Sequence, residues 1–265
     1  MISSGVLVPL VTPIDEHGVV SERDVASMLD FLRDHVDCLV PALSTGEGWL
    51  LDDRQWDDMV ASTVRQAGSL PVYAGALSAT TAGVIQRARR AAELGAAAVV
   101  ATTPYGMGVT QQEMFQHFAQ IQEASPIPLV VYDEVEQSGN VTQLSTLRRI
   151  SELPGVVAIK DSHGDRERWE ALRAAALDAK LWLGREELVG VVDVTDGVLL
   201  AVANLAPELC GRWWQSRDAA LAEEIQDVCR AHSLFDPDWY VNIKRALRAA
   251  SHLGHDRPVP EVSPL

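Results

Sequence analysis

The sequence predicts an α/β fold, a (β/α)8 TIM barrel with a short C-terminal helical extension. Eight short apolar runs that are typical of β-strands alternate with helical patterns along a chain of 265 residues. The runs are continuously apolar, as expected of parallel strands that are buried on both faces. A doubly wound open sheet is the competing architecture. The glycine pairs at 46 and 48 and at 106 and 108 lack the third glycine of a dinucleotide-binding fingerprint, so we favour the barrel.

The first four strand–helix units are marked by helix boundaries as well as by apolar runs. We place the first four strands at residues 6–11, 38–43, 71–76 and 97–103. Ser21 followed by Asp24 predicts a capping box at a helix start, and Thr110 followed by Glu113 predicts a second one. Gly95 comes after the last apolar residue of the third helix, where glycine commonly ends a helix.

The second half of the chain continues the alternation and then becomes helical only. The remaining four strands are expected at residues 128–132, 155–159, 181–183 and 198–200. From about residue 207 we expect the last barrel helix and two further helices that pack on the barrel. We therefore divide the chain into a barrel, residues 1–210, and C-terminal helices, residues 211–265, that together form a single structural unit.

Charge and composition exclude several classes of partner. The 22 Lys and Arg residues against 37 Asp and Glu residues give a formal net charge of −15, which argues against nucleic acid or an anionic membrane as a partner. Cys38, Cys210 and Cys229 lack CxxC spacing and are expected to be buried thiols in a reducing compartment. The sequence lacks signal-peptide features and a long apolar stretch, so we expect a cytoplasmic protein.

Lys160 is the strongest candidate for a catalytic residue, because it ends an apolar strand run at the edge where such barrels carry their active sites. Burial of its side chain in the barrel wall would disfavour the ammonium form and leave an amine for imine formation. A lysine at a strand end can equally extend its charged head into solvent. Both interpretations of Lys160 stay open at this point.

Two further strand ends carry polar side chains that could join Lys160. Ser44, Thr45 and Gly46 follow the second strand, where hydroxyls and backbone N–H groups could bind a carboxylate. An ordinary turn that starts the next helix is the alternative. The phenol of Tyr132 could carry protons, although a tyrosine at the edge of a core would give the same pattern. The three signals converge on one rim of the barrel.

A series of motifs, in the same order over nearly the whole chain, resembles one known family. The motifs are Thr-Pro at 12–13, Ser-Thr-Gly-Glu at 44–47, Pro-Val-Tyr-Ala-Gly at 71–75, Thr-Pro-Tyr at 103–105, Tyr132, Gly-Val-Val-Ala-Ile-Lys at 155–160, Gly184, Gly-Val at 197–198 and Ala-Asn-Leu-Ala-Pro at 203–207. The family they resemble is the dihydrodipicolinate synthase / N-acetylneuraminate lyase family.

This resemblance implies a class I aldolase or lyase that joins or separates a 2-keto acid, most simply pyruvate, and an aldehyde-type co-substrate. Lys160 matches the family's Schiff-base lysine and Tyr132 its general acid/base tyrosine. Ser44 and Thr45 match positions that hold the keto acid's carboxylate and pass protons. The remaining expected substrate-binding residues are Gly46, Tyr105, Gln137, Gly184 and Val198. The lysine imine implies no metal and no organic cofactor, and a homo-oligomer, a dimer or a tetramer, is expected.

Two departures from the family pattern set this chain apart from the lysine-pathway synthase. Gly106 stands where the synthases have a second relay tyrosine, which reaches into the neighbouring subunit's site. Gln137 stands where they have an arginine that receives the second substrate's carboxylate, and the segment before it is acidic. A carboxylated acceptor would lose its bidentate partner and meet like charge. We therefore predict a diverged member that is not a true dihydrodipicolinate synthase.

The acidic segment leaves the acceptor and the reaction open. Asp133, Glu134 and Glu136 would favour an acceptor with an amine or several hydroxyls, and a solvated acidic loop is the alternative. Aldol cleavage, a condensation of the synthase type and imine-linked dehydration all remain possible, since a fold and a lysine do not determine the reaction. A non-catalytic, ligand-binding barrel that has lost the relay is the alternative from another class.

Other residue clusters give weaker signals. The seven histidines are scattered without the spacing of a metal site, so no metal is expected. His163, three residues after Lys160, could assist proton transfer or simply be exposed. Trp49 and the pair Trp213 and Trp214 are expected to form core and subunit contacts.

Overall fold

Eight parallel strands form the barrel in this computed structural model, which describes residues 2–194 and 196–260. The strands are β1 (Gly5–Pro9), β2 (Cys38–Val40), β3 (Tyr73–Gly75), β4 (Ala98–Thr102), β5 (Leu129–Asp133), β6 (Val156–Asp161), β7 (Lys180–Leu183) and β8 (Gly197–Leu199). Their hydrogen-bonded order is β2-β1-β8-β7-β6-β5-β4-β3, and a parallel bridge between Leu39 and Val72 brings the two edge strands together. The predicted (β/α)8 barrel is confirmed.

The helices surround this sheet. Helix boundaries are confirmed at Ser21, Thr110 and Gly95, although the capping box predicted at Ser21 is formed only in part. They are α1 (Glu22–Leu32), α2 (Asp53–Gln66), α3 (Thr81–Leu94), α4 (Gln111–Ala124), α5 (Leu144–Ser151), α6 (Arg166–Ala174), α7 (Pro207–Ser216), α8 (Ala219–Ala231) and α9 (Trp239–Ala249). Ser21 accepts a hydrogen bond from the backbone of Asp24, and Thr110 and Glu113 form a complete capping box. Gly95 ends α3 with φ of 91°, in the left-handed region that glycine adopts without strain.

The connection between β7 and β8 departs from the regular repeat. Its described residues contain a single 3₁₀ turn, Glu186–Leu188, and α8 from the C-terminal segment packs there. Gln226 of α8 donates to the carbonyl oxygen of Glu186, and a Cβ on Gly190 would lie 2.6 Å from the Cβ of Ala222. The C-terminal helices are therefore packed directly on the barrel. The proposed division at residue 210 falls inside α7 and stays a prediction.

The core has two layers, because successive side chains of a strand point to opposite faces of the sheet. One set fills the barrel interior, and among its members are Leu7, Val40, Val100, Val130, Ala158 and Trp182. The other set packs between sheet and helices, and among its members are Val8, Val99, Val131, Ile159 and Val198. Tyr132 and Lys160 are register partners across β5 and β6, and both belong to the inward-facing set of positions.

The three cysteines are free and buried, as the sequence predicts. Within the described part of the chain, no helix combines the length and the apolar character that crossing a bilayer requires.

Candidate active site

A cavity of about 430 Å³ opens at the carboxyl ends of the strands, a size that suits a small-molecule ligand. Six of the predicted site residues line it: Ser44, Thr45, Tyr132, Gln137, Lys160 and Gly184. Residues that the sequence analysis did not assign to the site line it as well, and these include Trp49, Ser162, Arg185, Glu186 and side chains from residues 234–240.

Lys160 lies at the base of this cavity and is only 4% exposed. Its Nζ lies 3.8 Å from the centre of the Tyr132 ring. Burial lowers the pKa of the ammonium from 10.5 to about 7, although Glu186 and Glu134 favour the charged form. At neutral pH the Lys160 amine is then unprotonated in about half of the molecules, compared with about one molecule in three thousand for an ordinary lysine. Lys160 is therefore a competent nucleophile near neutrality.

The other two lysines of the chain are engaged away from the cavity. Lys180 begins β7 at the opposite end of the barrel, and its Nζ donates to the carbonyl oxygen of Ile2 at 3.0 Å and to Ser4 Oγ at 2.6 Å. Lys244 is fully buried and pairs with Glu47. Lys160 is thus the lysine whose amine faces a ligand-sized space.

Tyr132 and its hydroxyl neighbours form a path for protons beside the amine. Ser44 Oγ and Tyr132 Oη lie 3.2 Å apart. Burial and the nearby carboxylate of Glu134 raise the pKa of the Tyr132 phenol, whereas the hydroxyls of Ser44 and Ser162 act in the opposite direction. The phenol therefore stays protonated and can donate. Ser162 follows Lys160 by two positions, so the period of the strand could have placed it on the same face.

The turn after β2 presents Ser44 and Thr45 to the cavity. Within residues 2–194 and 196–260, the backbone N–H groups of Ser44 and Thr45 have no hydrogen-bond acceptor. The N–H groups of Gly46 and Glu47, in contrast, donate to the carbonyl oxygens of Leu43 and Ser44. Two unpaired N–H groups beside two hydroxyls form a concave donor set that can bind a carboxylate.

A buried ion pair supports the turn that contains Ser44 and Thr45. Glu47 adopts φ of 55°, and its carboxylate points inward to Nζ of Lys244 on α9, with both side chains fully buried. The second carboxylate oxygen accepts from the backbone of Val259 at 2.7 Å. Lys244 also donates to the carbonyl oxygen of Arg257 at 3.0 Å. The C-terminal helices therefore fix the turn that carries Ser44 and the residues around it.

Gly184 provides the space that the Lys160 side chain occupies. A Cβ at this position would lie 2.1 Å from Ser162 Oγ and 2.5 Å from Lys160 Cε, both far inside van der Waals contact. Its carbonyl oxygen accepts from Ser162 Oγ at 3.1 Å. Any side chain at position 184 would therefore collide with Lys160 and Ser162.

The structure places three of the predicted substrate-binding residues outside the cavity lining. Gly46 packs under the turn, where Thr12 Oγ1 donates to its carbonyl oxygen at 2.6 Å. Val198 points into the layer between sheet and helices, and its neighbour Leu199 lines the cavity instead. Tyr105 does not line the cavity, and burial raises the pKa of its phenol. A continuously apolar strand does not by itself reveal which of two successive residues faces inward.

The acidic segment is neither a solvated loop nor a single patch that faces the ligand. Asp133 is fully buried and turned away from the cavity, because its predecessor Tyr132 points inward. Glu134 lines the cavity, and its carboxylate accepts from the backbone of Gln137 at 2.8 Å. Glu136 is more exposed and pairs with Arg185. The segment thus carries three carboxylates with three different surroundings.

Behind the cavity wall lies a charged cluster that the sequence analysis missed. Asp133, Asp161 and His163 offer possible ligand atoms within 4.8 Å of one another, because β5 and β6 pair their last residues. Arg168 of α6 pairs with both carboxylates, and His163 Nε2 lies 3.2 Å from Asp133 Oδ2. Burial and Asp133 raise the pKa of Asp161 to about 6. His163 therefore contacts this cluster, and it does not line the cavity.

The mouth of the cavity is partly formed by the C-terminal segment. Leu234, Phe235, Asp236, Pro237, Trp239 and Tyr240 all contribute to its lining. Trp49 meets Tyr240 there, with ring centroids 5.7 Å apart and nearly perpendicular planes. Trp213 is buried in the core as predicted, whereas Trp49 is 38% exposed and faces the cavity.

Other proteins are similar to this chain in both sequence and fold. The sequence matches the dihydrodipicolinate synthetase family over residues 2–259. It is 33% identical over 208 residues to the 4-hydroxy-tetrahydrodipicolinate synthase of Thermomicrobium roseum, which covers 77% of this chain and 68% of that protein. The synthase of Methylococcus capsulatus is 28% identical over 253 residues, which covers 94% of this chain and 82% of that protein.

Among solved structures, the fold matches the chloride-inhibited dihydrodipicolinate synthase of Acinetobacter baumannii complexed with pyruvate. The TM-score is 0.88 at 26% sequence identity, and the match covers 100% of this chain and 94% of that one. The family consists of metal-independent carbon–carbon lyases, which agrees with the enzyme class that the motifs predict. Because the match extends over nearly the whole chain, the protein belongs to the dihydrodipicolinate synthetase family.

Proposed function

We propose that this chain is a class I aldolase or lyase in which Lys160 forms a Schiff base with pyruvate or another 2-keto acid. The observation that carries the proposal is the buried Lys160 amine, which lines the cavity and contacts the ring of Tyr132. Its pKa of about 7 supplies the neutral amine that attack on a keto carbon requires. The solved relative complexed with pyruvate supports the choice of keto acid.

In the first step, the Lys160 amine attacks the keto carbon while the keto acid's carboxylate lies on the donor set of Ser44 and Thr45. The phenol of Tyr132 gives a proton to the forming hydroxyl, and loss of water leaves the imine. Ser44 Oγ, 3.2 Å from the phenol oxygen, then returns a proton to the Tyr132 phenolate. All four of these side chains line the same cavity.

The protonated imine then serves as an electron sink. Loss of a proton from C3 of the bound pyruvate gives an enamine, which makes a carbon–carbon bond with an aldehyde-type partner; the reverse sequence breaks such a bond. The covalent lysine replaces a metal or an organic cofactor in this scheme. Condensation of the type named in the relatives and imine-linked dehydration use the same intermediate. We propose a reaction other than dihydrodipicolinate synthesis, because Gln137 replaces the expected arginine.

We also propose a homo-oligomer in solution, a dimer or a tetramer. Met107, in the turn after β4, is 98% exposed, and Val141 is 52% exposed. The two residues stand on segments that the hydrogen bond from Asn140 to the carbonyl oxygen of Gly106 joins, and exposed apolar surface formed by neighbouring segments can be buried against another chain. Sedimentation of the purified protein tests this expectation, and a monomer at all concentrations would contradict it.

Reductive trapping tests the proposed chemistry. The protein is incubated with pyruvate and borohydride, and its intact mass is then measured. We expect one adduct per chain in the natural sequence, none in Lys160→Ala, and an unchanged adduct in the control Lys180→Ala. Absence of any adduct with pyruvate and a panel of 2-keto acids would favour the non-catalytic barrel. An undiminished adduct in Lys160→Ala would show that the lysine is misassigned.

A further inference from the structure

The mouth of the cavity carries four aromatic side chains, Trp49, Phe235, Trp239 and Tyr240, here called the aromatic wall. All four line the same cavity as Lys160, although Trp49 comes from the β2–α2 connection and the others from the C-terminal segment. Tyr240 contacts Trp49 and Trp239 edge-on, with ring centroids 5.7 Å and 5.3 Å apart. Trp49 is 38% and Phe235 41% exposed, so these two rings offer their surfaces to a ligand.

The basic side chain at the mouth is already committed to neighbouring groups. Arg185 donates through Nε to the carbonyl oxygen of Ser162 at 2.9 Å and pairs through Nη2 with Glu136. Its Nη1 lies 4.0 Å from a carboxylate oxygen of Glu187. Two carboxylates thus balance the single positive charge of Arg185, and a ligand carboxylate that approached it would meet the like charge of Glu136 and Glu187. Arg185 therefore does not restore the carboxylate site that Gln137 lacks.

The carboxylate of Glu134, which lines the cavity, is committed as well. Glu134 is 3% exposed, and its two oxygens accept from the backbone N–H groups of Gln137 and Ser138 at 2.8 Å and 3.1 Å. The carboxylate thus satisfies its own loop, and it also favours the charged form of Lys160. A ligand amine would compete with both partners. The accessible apolar surface of the mouth is that of Trp49 and Phe235, which lie beside the exposed acidic side chains of Glu187 and Asp236.

From this distribution we propose that the acceptor is an aromatic aldehyde whose ring packs against the aromatic wall. This inference rests on the proposed function and specifies the second substrate of the same site. Aromatic rings prefer edge-to-face or offset contacts with one another and gain more from them than from area alone. A cavity of about 430 Å³ has room for a ring beside a bound three-carbon keto acid.

The proposed reaction balances without an oxidant or reductant. Pyruvate and Lys160 form the imine and release one water, and C3 of pyruvate then loses one proton to give the enamine. The enamine carbon bonds to the aldehyde carbon, and the aldehyde oxygen gains that proton. Hydrolysis of the imine consumes one water and frees Lys160. The product is a 4-aryl-4-hydroxy-2-keto acid, and cleavage of such a compound is the same sequence in reverse.

A panel of acceptors tests the substrate class. The natural protein is incubated with pyruvate and, separately, benzaldehyde, cyclohexanecarbaldehyde, an aldehyde with a carboxylate, a polyhydroxylated aldehyde and an aldehyde with an amine, and the condensation products are quantified by mass. We expect kcat/KM for benzaldehyde to exceed that for the saturated ring of similar size by about tenfold, and to exceed the polar aldehydes by more. Equal rates for the two rings, or a preference for any polar aldehyde, would overturn the proposal.

Variants of the aromatic wall then test whether the preference for an aromatic acceptor depends on these side chains. Phe235→Ala is expected to raise KM for benzaldehyde by about tenfold and to leave the yield of the pyruvate adduct unchanged. Phe115→Ala, a matched loss of a partly buried phenyl ring on α4 outside the cavity, is the control. An unchanged KM in Phe235→Ala, or an equal rise in Phe115→Ala, would contradict the role of the wall. A pyruvate adduct without aromatic preference rejects only this inference, whereas a missing adduct rejects the proposed function.

Discussion

The buried pair between Glu47 and Lys244 joins the C-terminal helices to the turn that carries Ser44, and Lys244→Met breaks it with little change in side-chain volume. Both partners are fully buried in the folded protein. After the substitution, the Glu47 carboxylate keeps the hydrogen bond from the backbone N–H of Val259, at 2.7 Å. A buried carboxylate would thus remain without its counter-charge.

The expected cost of Lys244→Met is about 3–5 kcal/mol, because removal of one partner leaves an uncompensated buried charge. This is a large part of the total stability of a domain, which is about 5–15 kcal/mol. The double variant Glu47→Gln with Lys244→Met removes the charge and keeps an acceptor for Val259. We expect it to recover at least half of the loss, since the charge rather than the lost contact dominates the cost.

Urea unfolding followed by tryptophan fluorescence measures these differences. The control is Arg248→Met on the same helix, which removes an exposed pair with Asp256 and should cost under about 1 kcal/mol. The turn also loses its support in Lys244→Met, so a higher pyruvate concentration should be needed for half-maximal trapping. A loss in Lys244→Met no greater than in Arg248→Met, or a double variant less stable than the single one, would refute the reasoning.

The other predictions concern the proton path and the amine. Tyr132→Phe should slow imine formation by about 10²- to 10⁴-fold, whereas Tyr73→Phe, which removes a hydroxyl at the opposite end of the barrel, should leave it unchanged; equal rates in both variants would contradict the role of the Tyr132 phenol. Because the Lys160 pKa is lowered to about 7 and the protonated form cannot attack, the rate of imine formation should rise with pH up to about 7 and then level off. Glu134 favours the charged amine, so Glu134→Gln should move this acid limb to lower pH, and a shift to higher pH would be inconsistent with that electrostatic assignment.

Features that depend on local sequence could be predicted well. The helix caps at Ser21 and Thr110 follow from side chains three residues apart, and the eight strands follow from their apolar runs. Lys160 could be placed at the rim because the position of an active site in such a barrel is a general property of the fold. These inferences need only a few neighbouring residues.

Features that depend on side-chain direction or on distant segments could not be predicted in the same way. The family resemblance indicates Val198, whereas Leu199 lines the cavity, and a strand that is apolar on both faces does not show which face is inward. The Glu47–Lys244 pair joins residues 197 positions apart, and no local pattern indicates it. Phe235 reaches the cavity only because the C-terminal helices fold back over the mouth.

We propose that the covalent intermediate forms on Lys160, and peptide mapping can test this directly because the chain contains only three lysines. Peptide mapping of the protein after trapping with pyruvate and borohydride should find the adduct on the peptide that contains Lys160 and leave Lys180 and Lys244 unmodified. An adduct on Lys180 or Lys244 with Lys160 unmodified would contradict the account.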